Sequence, residues 1–401
     1  MLARVALAAI IAAAPTAHTR VVSADPVDST PHVLDGIVNA IALVGGTVVV
    51  GGSFTAVADS SRTTTYSRAN LFAYDLATGR VLPRFSPDVD GTVHSLASGE
   101  GGTVYVGGDF HTVDGAPTRS LARLSLSSGR PVRSFAPRIS GGAVTTLARR
   151  GSDLYAGGDF TRPRTALAAL DATTGRPDPG FTITPGKALT RKVKVHAIAA
   201  TADRLAVDGS FTTLDGQSRP QLGLVDIGGP TAKLAAWRTE AYLPACMDTF
   251  PSYVRGLDFA PDGRYFVVVT TGGPRRGMCD SAARFETYAN SQSIRPTWIN
   301  RTGGDSLYAV SVTGSAVYVG GHQRWLDNPL GHDSAGAGAV PREGIGAIHP
   351  RTGKALSWNP GRERGIGVKA FLAHSGGLLV GSDTTRLGRE YHARIGMFPL
   401  P

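Results

Sequence analysis

The sequence predicts an all-β protein, a seven-bladed β-propeller with four-stranded blades. A phrase built around Gly-Gly ends a strand in successive copies: Val50-Gly51-Gly52-Ser53-Phe54, Val106-Gly107-Gly108-Asp109-Phe110, Ala156-Gly157-Gly158-Asp159-Phe160 and Val207-Asp208-Gly209-Ser210-Phe211. Repeats of about fifty residues made of short strands and glycine turns are typical of propellers. Helices are disfavoured because Gly and Pro are abundant and no long apolar 3.6-residue period is present.

Each repeat supplies four strand signals. A first strand opens with Val or Leu and has a second large apolar residue three positions later, in seven copies that begin at Val38, Val93, Val144, Val195, Val254, Leu307 and Val368. The second strand ends at the glycine phrase. The third runs into a turn such as Ala77-Thr78-Gly79-Arg80, where Gly supplies the positive φ. The fourth holds an aromatic residue: Phe85, Phe135, Phe181, Trp237, Trp298 or Trp358.

The last repeat stops after its third strand, and the N-terminal region offers a replacement for the fourth. Residues 30–36 resemble residues 84–91, which end the first repeat. We therefore expect His32 to Asp35 to pair with the last blade and close the ring, which removes exposed sheet edges. A disordered N-terminal tail is the alternative.

The predicted domains are a secretory signal over 1–24 and one propeller over 25–401. Arg4, the apolar run over 5–14 and the small residues Val22-Ser23-Ala24 match the parts of a signal peptide. The run is too short to span a bilayer, so we expect a secreted, extracellular protein. The blades are expected at about 37–92, 93–143, 144–194, 195–253, 254–306, 307–367 and 368–401 plus 30–36.

Composition limits the partners. The two cysteines, Cys246 and Cys279, fit a structural disulfide in an oxidising compartment and are too few for a zinc site. No metal or cofactor is expected. The net charge of +10 comes mainly from Arg, but no basic run is interleaved with aromatic residues, so a nucleic-acid partner is disfavoured. We expect a monomer.

The repeat resembles secreted actinobacterial β-propeller proteins with delta-60-like repeats. The resemblance is carried by Val-Gly-Gly-Asp-Phe at 106–110 and by Leu-Asp-x-x-Thr-Gly at 170–175, and it covers the chain after the signal. It implies the architecture but no single reaction and no catalytic residues. The phrase is replaced in the last three repeats, by Thr270-Thr271-Gly272-Gly273, His322-Gln323-Arg324-Trp325 and Gly381-Ser382-Asp383-Thr384.

The first candidate site is a ring at the channel mouth. In a propeller the first strand of each blade is innermost, so the residue after its opening apolar residue forms a ring. Here the ring is Asn39, His94, Thr145, His196, Arg255, Tyr308 and Lys369. All seven are polar and none is acidic, and the two histidines are expected to titrate between pH 5 and 8. Such a set suits a carboxylate, sulfate or phosphate; the alternative is a plain water-filled channel.

The second candidate site is the loop face of blades five to seven. Its residues are Arg275, Arg276, His322, Gln323, Arg324, Trp325, Asp327, Asn328, Arg362, Arg364 and Asp383. A Trp beside Arg, Asp and Asn is a combination that binds sugars, unless Trp325 packs under its own loop. Asp327, Glu363 and Asp383 are candidates for the carboxylate pair of a hydrolase, which depends on their separation.

These features predict a secreted binding module for a carbohydrate or an anionic cell-surface ligand. Two alternatives remain open. One is an extracellular carbohydrate-active hydrolase or lyase that uses the loops of blades five to seven, and the other is a protein-interaction scaffold. Enzyme signals are weak, because no nucleophile elbow, zinc-protease motif or calcium loop is present, so catalytic residues are not assigned.

Overall fold

The computed structural model describes residues 17–247, 250–273, 277–291 and 293–401. The regular structure in these ranges is entirely β, with no helix. A helix long and apolar enough to cross a bilayer is absent from these ranges. The predicted all-β class is confirmed.

The strands follow one another in short segments. The first twelve are β1 (His32–Val33), β2 (Ile37–Val44), β3 (Thr47–Ser53), β4 (Ala56–Ala58), β5 (Thr65–Ser67), β6 (Leu71–Asp75), β7 (Thr92–Ser98), β8 (Thr103–Asp109), β9 (Thr112–Val113), β10 (Ala116–Pro117), β11 (Leu121–Ser125) and β12 (Val144–Arg150). The next twelve are β13 (Asp153–Gly158), β14 (Leu167–Asp171), β15 (Pro185–Ala188), β16 (Val195–Ala200), β17 (Arg204–Gly209), β18 (Phe211–Leu214), β19 (Gln217–Ser218), β20 (Leu222–Asp226), β21 (Lys233–Leu234), β22 (Val254–Phe259), β23 (Tyr265–Thr270) and β24 (Ser281–Glu286). The last eleven are β25 (Trp298–Arg301), β26 (Leu307–Val312), β27 (Val317–Gly321), β28 (Trp325–Leu326), β29 (Val340–Pro341), β30 (Ile345–Ile348), β31 (Ala370–His374), β32 (Gly377–Gly381), β33 (Arg386–Leu387), β34 (Glu390–Tyr391) and β35 (Ile395–Pro399).

Seven antiparallel sheets follow the predicted repeats. In the described residues they are β2-β3-β6, β7-β8-β11, β12-β13-β14, β16-β17-β20-β21, β22-β23-β24-β25, β26-β27-β30 and β31-β32-β35, which we number one to seven. The first strand of each sheet contacts the first strand of the next, and β31 of sheet seven contacts β2 of sheet one. Short hairpins, such as β4-β5 and β33-β34, lie between the second and third strands.

The fourth strand is weaker than the sequence predicts. Only sheets four and five have four hydrogen-bonded strands in the described chain. In sheets one, two, three and six a single bridge stands in for the fourth strand, as in Leu124 with Pro131 and Leu170 with Pro177. Proline has no N–H to donate and cannot continue a ladder. The aromatic side chains of this segment are nevertheless buried.

The N-terminal segment pairs differently from the prediction. His32 and Val33 form β1, which pairs with β4 of the first repeat. Toward the last repeat, this strand makes one backbone hydrogen bond, from the Val33 N–H to the Ala393 carbonyl at 2.9 Å. The resemblance to residues 84–91 explains the pairing with β4, because Val89 likewise bridges to the hairpin of the next repeat. The backbone that reaches β35 lies earlier: the Ser23 N–H donates to the Pro399 carbonyl at 2.7 Å, and the Val27 N–H to the Met397 carbonyl at 2.9 Å.

Residues just before this segment also contact the sheets. Val22 is buried, and its N–H donates to the Tyr318 hydroxyl at 3.0 Å. The Trp358 indole N–H donates to the Ser23 carbonyl at 2.9 Å. Cleavage after Ala24, as the sequence predicts, would remove these contacts. Residues 1–16, which hold the apolar run of the predicted signal, lie outside the described residues.

The glycine phrase sets how closely neighbouring sheets pack. A β-carbon on Gly51 would lie 2.4 Å from Val93 Cγ1, and one on Gly107 would lie 2.7 Å from Val144 Cγ1. Any side chain there would push the next sheet away. Apolar residues of adjacent sheets then form continuous clusters around this contact.

The predicted disulfide is confirmed. Cys246 and Cys279 are bonded, with their Cα atoms 5.7 Å apart, and both are buried. The bond links the segment before sheet five to that sheet's own loop. In the chain-entropy model, closing a loop of 33 residues stabilises the fold by about 3–4 kcal/mol.

The contact between sheets seven and one can be tested at Gly381. A β-carbon there would lie 2.5 Å from Val38 Cγ1, so we expect Gly381→Ala to lower the free energy of unfolding by about 1–3 kcal/mol. Gly46→Ala is the control, because a β-carbon there meets no atom within 4 Å. Urea unfolding measures both. Equal stability of the two variants would mean that the last sheet does not press on the first.

Candidate functional site

A β-bulge presents one side chain from each first strand. In sheets one to six the pairing register between first and second strands skips one residue. The skipped residues are Asn39, His94, Thr145, His196, Arg255 and Tyr308. A bulged residue leaves the ladder and its side chain is re-aimed. In sheet seven, Lys369 precedes β31, and its N–H donates to the Gly381 carbonyl at 2.9 Å.

The structure brings all seven predicted ring residues together. They line a single cavity of about 260 Å³, to which every first strand contributes. Each of the seven is half-buried. Their role in binding a ligand stays a prediction.

Two neutral members of the ring tie adjacent first strands to each other. The Asn39 Nδ2–H donates to the Val93 carbonyl at 3.2 Å. The Thr145 hydroxyl donates to the Val195 carbonyl at 2.7 Å. These side chains satisfy carbonyls of the neighbouring sheet and fix the spacing of the cavity wall.

The two cations of the ring are partly desolvated. The Arg255 guanidinium donates to the carbonyls of Val254 at 2.7 Å and Ser252 at 3.2 Å, and burial lowers its pKa. Lys369 Nζ lies 3.4 Å from the centroid of the Tyr308 ring, a cation–π contact. Burial lowers the pKa of Lys369 to about 8. Both groups are charged at pH 7, although Lys369 is close to titrating.

The histidines do not titrate as the sequence suggests. Burial, with Arg255 and then Lys194 nearby, lowers the pKa of His196 to about 3. Burial also lowers the pKa of His94, with a contribution from Lys194. The prediction that both histidines titrate between pH 5 and 8 is therefore wrong for His196, whose imidazole is neutral throughout that range.

Asp208 is an acid that the ring analysis missed. It replaces the first glycine of the repeat phrase and is fully buried. Its Oδ1 accepts the Ala197 N–H at 2.8 Å, while Oδ2 has no partner in the described residues. Burial raises the pKa of Asp208 to about 8, against the Ala197 hydrogen bond and the charge of Arg255. The sequence signal that indicates this acid is the Asp at position 208, where most of the other repeats have glycine.

Three arginines of the predicted loop face form ion pairs with acids of the same region. Arg324 donates through Nε to Asp305 Oδ2 at 2.9 Å, and Arg364 donates to Asp305 Oδ1 at 2.6 Å. Arg362 donates to Asp383 Oδ1 at 2.8 Å and is buried. Asp383 also accepts the N–H groups of residues 366 and 367. Arg324, Arg362 and Arg364 are therefore engaged in ion pairs within the fold. Asp305 is not among the site residues predicted from the sequence.

The other loop-face residues divide by burial. Asn328 is buried and bonds to the backbone of Thr302 and Gly336. Gln323 is fully buried where earlier repeats have Phe, and its amide atoms have no partner among the described residues. Trp325 is half-buried in β28, with the Arg324 guanidinium 4.4 Å from its ring centroid.

Two further candidates link to neighbouring elements. Asp327 accepts from Asn300 Nδ2 at 2.7 Å and from the Ala355 N–H at 3.0 Å. His322 joins the loop face to the ring, because its Nδ1 lies 3.1 Å from the Tyr308 hydroxyl. Arg275 and Arg276 lie outside the described residues. Ligand binding by the loop face stays a prediction.

A second cavity, of about 550 Å³, was not foreseen. It lies among the turns of sheets three to five, and its lining includes Arg149, Arg150, Asp203, Asp262 and Tyr288. Its charges are mixed, and the Tyr288 hydroxyl already donates to Asp203 Oδ1 at 2.8 Å. Turn residues carry no repeat signal that would have marked them in the sequence.

Comparisons with known proteins support the architecture. Residues 102–128 match a family model described as a beta-propeller domain of unknown function, DUF5122. The computationally designed Ika8 protein aligns with 94% of this chain and 100% of its own, at 14% identity and a TM-score of 0.51. A search of curated proteins finds no match.

A second similar structure is the extracellular domain of a putative one-component system from B. thetaiotaomicron. It aligns with 93% of this chain at 12% identity and a TM-score of 0.53. The alignment covers 40% of that chain. At such identities the likeness concerns the fold alone.

The buried acid gives a testable dependence of stability on pH. Because the pKa of Asp208 is raised to about 8, the folded state holds this proton more tightly than the unfolded chain. Its contribution is greatest below the unfolded pKa, near 4, and is lost as pH rises to about 8. We expect the stability of Asp208→Asn relative to wild type to rise by about 2–4 kcal/mol between pH 5 and 9. Urea unfolding at both pH values measures it; a constant difference would contradict the assignment.

Proposed function

We propose that the seven sheets are the blades of one closed β-propeller, and that the protein is secreted. The contact of β31 with β2 and the hydrogen bond from Val27 to β35 support closure. The disulfide supports an extracellular location. The repeat phrase supports a relationship to actinobacterial propellers with delta-60-like repeats.

Within this architecture we propose that the ring cavity binds an anionic group. The observation that carries the proposal is that seven bulged or bulge-equivalent side chains line one cavity, and that none of them is acidic while two are the cations Arg255 and Lys369. Asp208, the nearby acid, is protonated at neutral pH because burial raises its pKa to about 8. The local charge is therefore positive, and partial desolvation strengthens attraction for an anion.

The size of the cavity favours a small group. A volume of about 260 Å³ lies below the range typical of drug-sized ligands, about 300–1,000 Å³. A carboxylate, sulfate or phosphate fits this description, as does the acidic end of a cell-surface carbohydrate. The neutral side chains of Asn39, Thr145 and His196 supply polar contacts for the ligand atoms next to the anionic group. The protein then acts as a binding module for anionic polymers.

Binding is favoured over hydrolysis by the state of the loop acids. Asp327 and Asp383 accept hydrogen bonds from backbone N–H groups and from neighbouring side chains. Glu363 accepts the Thr385 N–H at 3.1 Å. Carboxylates engaged in this way serve as turn caps.

The cations of the ring are expected to carry the affinity. We expect Arg255→Gln combined with Lys369→Gln to weaken binding of an acidic polysaccharide by about 10–100-fold, from the loss of two charge-assisted hydrogen bonds. Arg80→Gln with Lys354→Gln is the matched control, since both residues are exposed in turns. Calorimetric titration at low salt measures the affinities. Unchanged binding by the first pair would exclude the ring as the site.

Affinity is also expected to fall in alkaline solution. As pH rises through about 8, Lys369 loses its charge and Asp208 gains one, so both changes reduce the positive charge of the cavity. Arg255 stays charged, which leaves weak residual binding. Titrations with inorganic sulfate from pH 6 to 9.5 should show the decline centred near pH 8. A flat profile would show that neither group faces the ligand.

A further inference from the structure

Three metal-ligating side chains meet between the two ends of the described chain. Asp28 lies in the N-terminal segment before β1, while Glu390 and His392 lie at the end of the last hairpin. One potential ligand atom from each lies within 4.8 Å of the others. No local sequence pattern indicates this cluster, because more than 350 positions separate its first member from the other two.

The imidazole of the cluster is held in place by groups outside it. His392 is buried, and its backbone N–H donates to the Thr385 carbonyl at 2.9 Å. Its ring Nδ1 lies 3.3 Å from the Thr30 hydroxyl, and Nε2 lies 3.4 Å from Glu390 Oε1. With the proton on Nδ1 donated to Thr30, the Nε2 lone pair faces the carboxylates. Metal-ligating histidines are commonly oriented by such a hydrogen bond on their other nitrogen.

The two carboxylates complete a ligand set and are free to adjust. Glu390 and His392 are two residues apart along an extended segment, which puts their side chains on one side. Asp28 and Glu390 are exposed, so their side chains can rotate to shorten the remaining gaps. Within the described residues, neither forms an ion pair with Lys or Arg. Adjacent carboxylates without a cation repel each other.

We propose that Asp28, Glu390 and His392 bind one divalent transition-metal ion, Zn²⁺ in the first instance. An imidazole nitrogen and carboxylate oxygens are all ligands that zinc accepts, and three protein ligands leave the fourth position to water. The ion would join the N-terminal segment to the β33-β34 hairpin. It would act as a clip that stabilises the junction of the first and last repeats, because a ligand that binds only the folded state opposes unfolding.

The clip is separate from the ring cavity, since none of its three residues lines that cavity. It does not rest on the proposed function. Sulfate binding at the ring and Zn²⁺ binding at the clip therefore succeed or fail independently of each other.

Zinc binding by the full chain, without an affinity tag, is the test. We expect one Zn²⁺ per chain by calorimetry and a saturable rise of several degrees in the melting temperature, reversed by EDTA. Asp28→Asn and His392→Gln should each weaken binding at least tenfold and abolish the rise. Thr30→Val should weaken binding about tenfold, because it removes the hydrogen bond that orients the His392 ring. The control is His332→Gln, an exposed histidine in the loop between β28 and β29, which should bind as wild type does.

Cobalt provides a readout that does not depend on stability. Co²⁺ in place of Zn²⁺ should give visible absorption bands of a nitrogen- and oxygen-ligated site, and Asp28→Asn, an exposed substitution, should remove them even if His392→Gln fails to fold. Absence of stoichiometric binding would overturn the proposal. So would binding by Asp28→Asn and Glu390→Gln that equals wild type.

Discussion

The close approach of neighbouring sheets, made possible by one glycine in most second strands, is the constraint on which the rest of the structure depends. A β-carbon at these glycines would come within 2.7 Å of the Val that opens the next first strand, as at Gly51, Gly107, Gly157, Gly320 and Gly381. Close-packed interiors do not accommodate such an overlap without moving backbone. The last of these contacts, from Gly381 to Val38, joins the end of the described chain to its beginning.

The same contact determines where the candidate site lies. The opening Val of five first strands lies against such a glycine of the preceding sheet, so the residue that follows this Val occurs at the same level in these sheets. The bulged residue takes no part in the ladder pairing, so different side chains can stand at this position in different sheets. The result is a cavity whose wall is set by the repeat and whose chemistry is set by seven independent positions. The repeated strands determine the shape of the cavity, and the side chains that differ between repeats determine its polarity.

Charge within this packed setting has an energetic cost. Burial moves the pKa of Lys369 down to about 8 and that of Asp208 up to about 8, in each case away from the charged form. Asp208 also breaks the glycine rule of the repeat, one sheet before Arg255. Local rules are broken most often where a function compensates for lost stability. These departures therefore support the proposal that the ring cavity binds a ligand.

The sequence alone determined the all-β class, the seven repeats, the disulfide and the identity of the ring residues, because each follows from local periodicity and spacing. Only the tertiary structure decided what depends on partners distant in the chain. Proline at residues 131 and 177 limits the fourth strand to single bridges, and residues 32–33 pair with the first hairpin while Ser23 and Val27 reach the last strand. Burial keeps the His196 imidazole neutral. Asp305 forms ion pairs with Arg324 and Arg364 of the loop face, and Asp28 lies close to His392. Desolvation and long-range pairing depend on residues that are distant in the chain, so the sequence of one repeat does not indicate them.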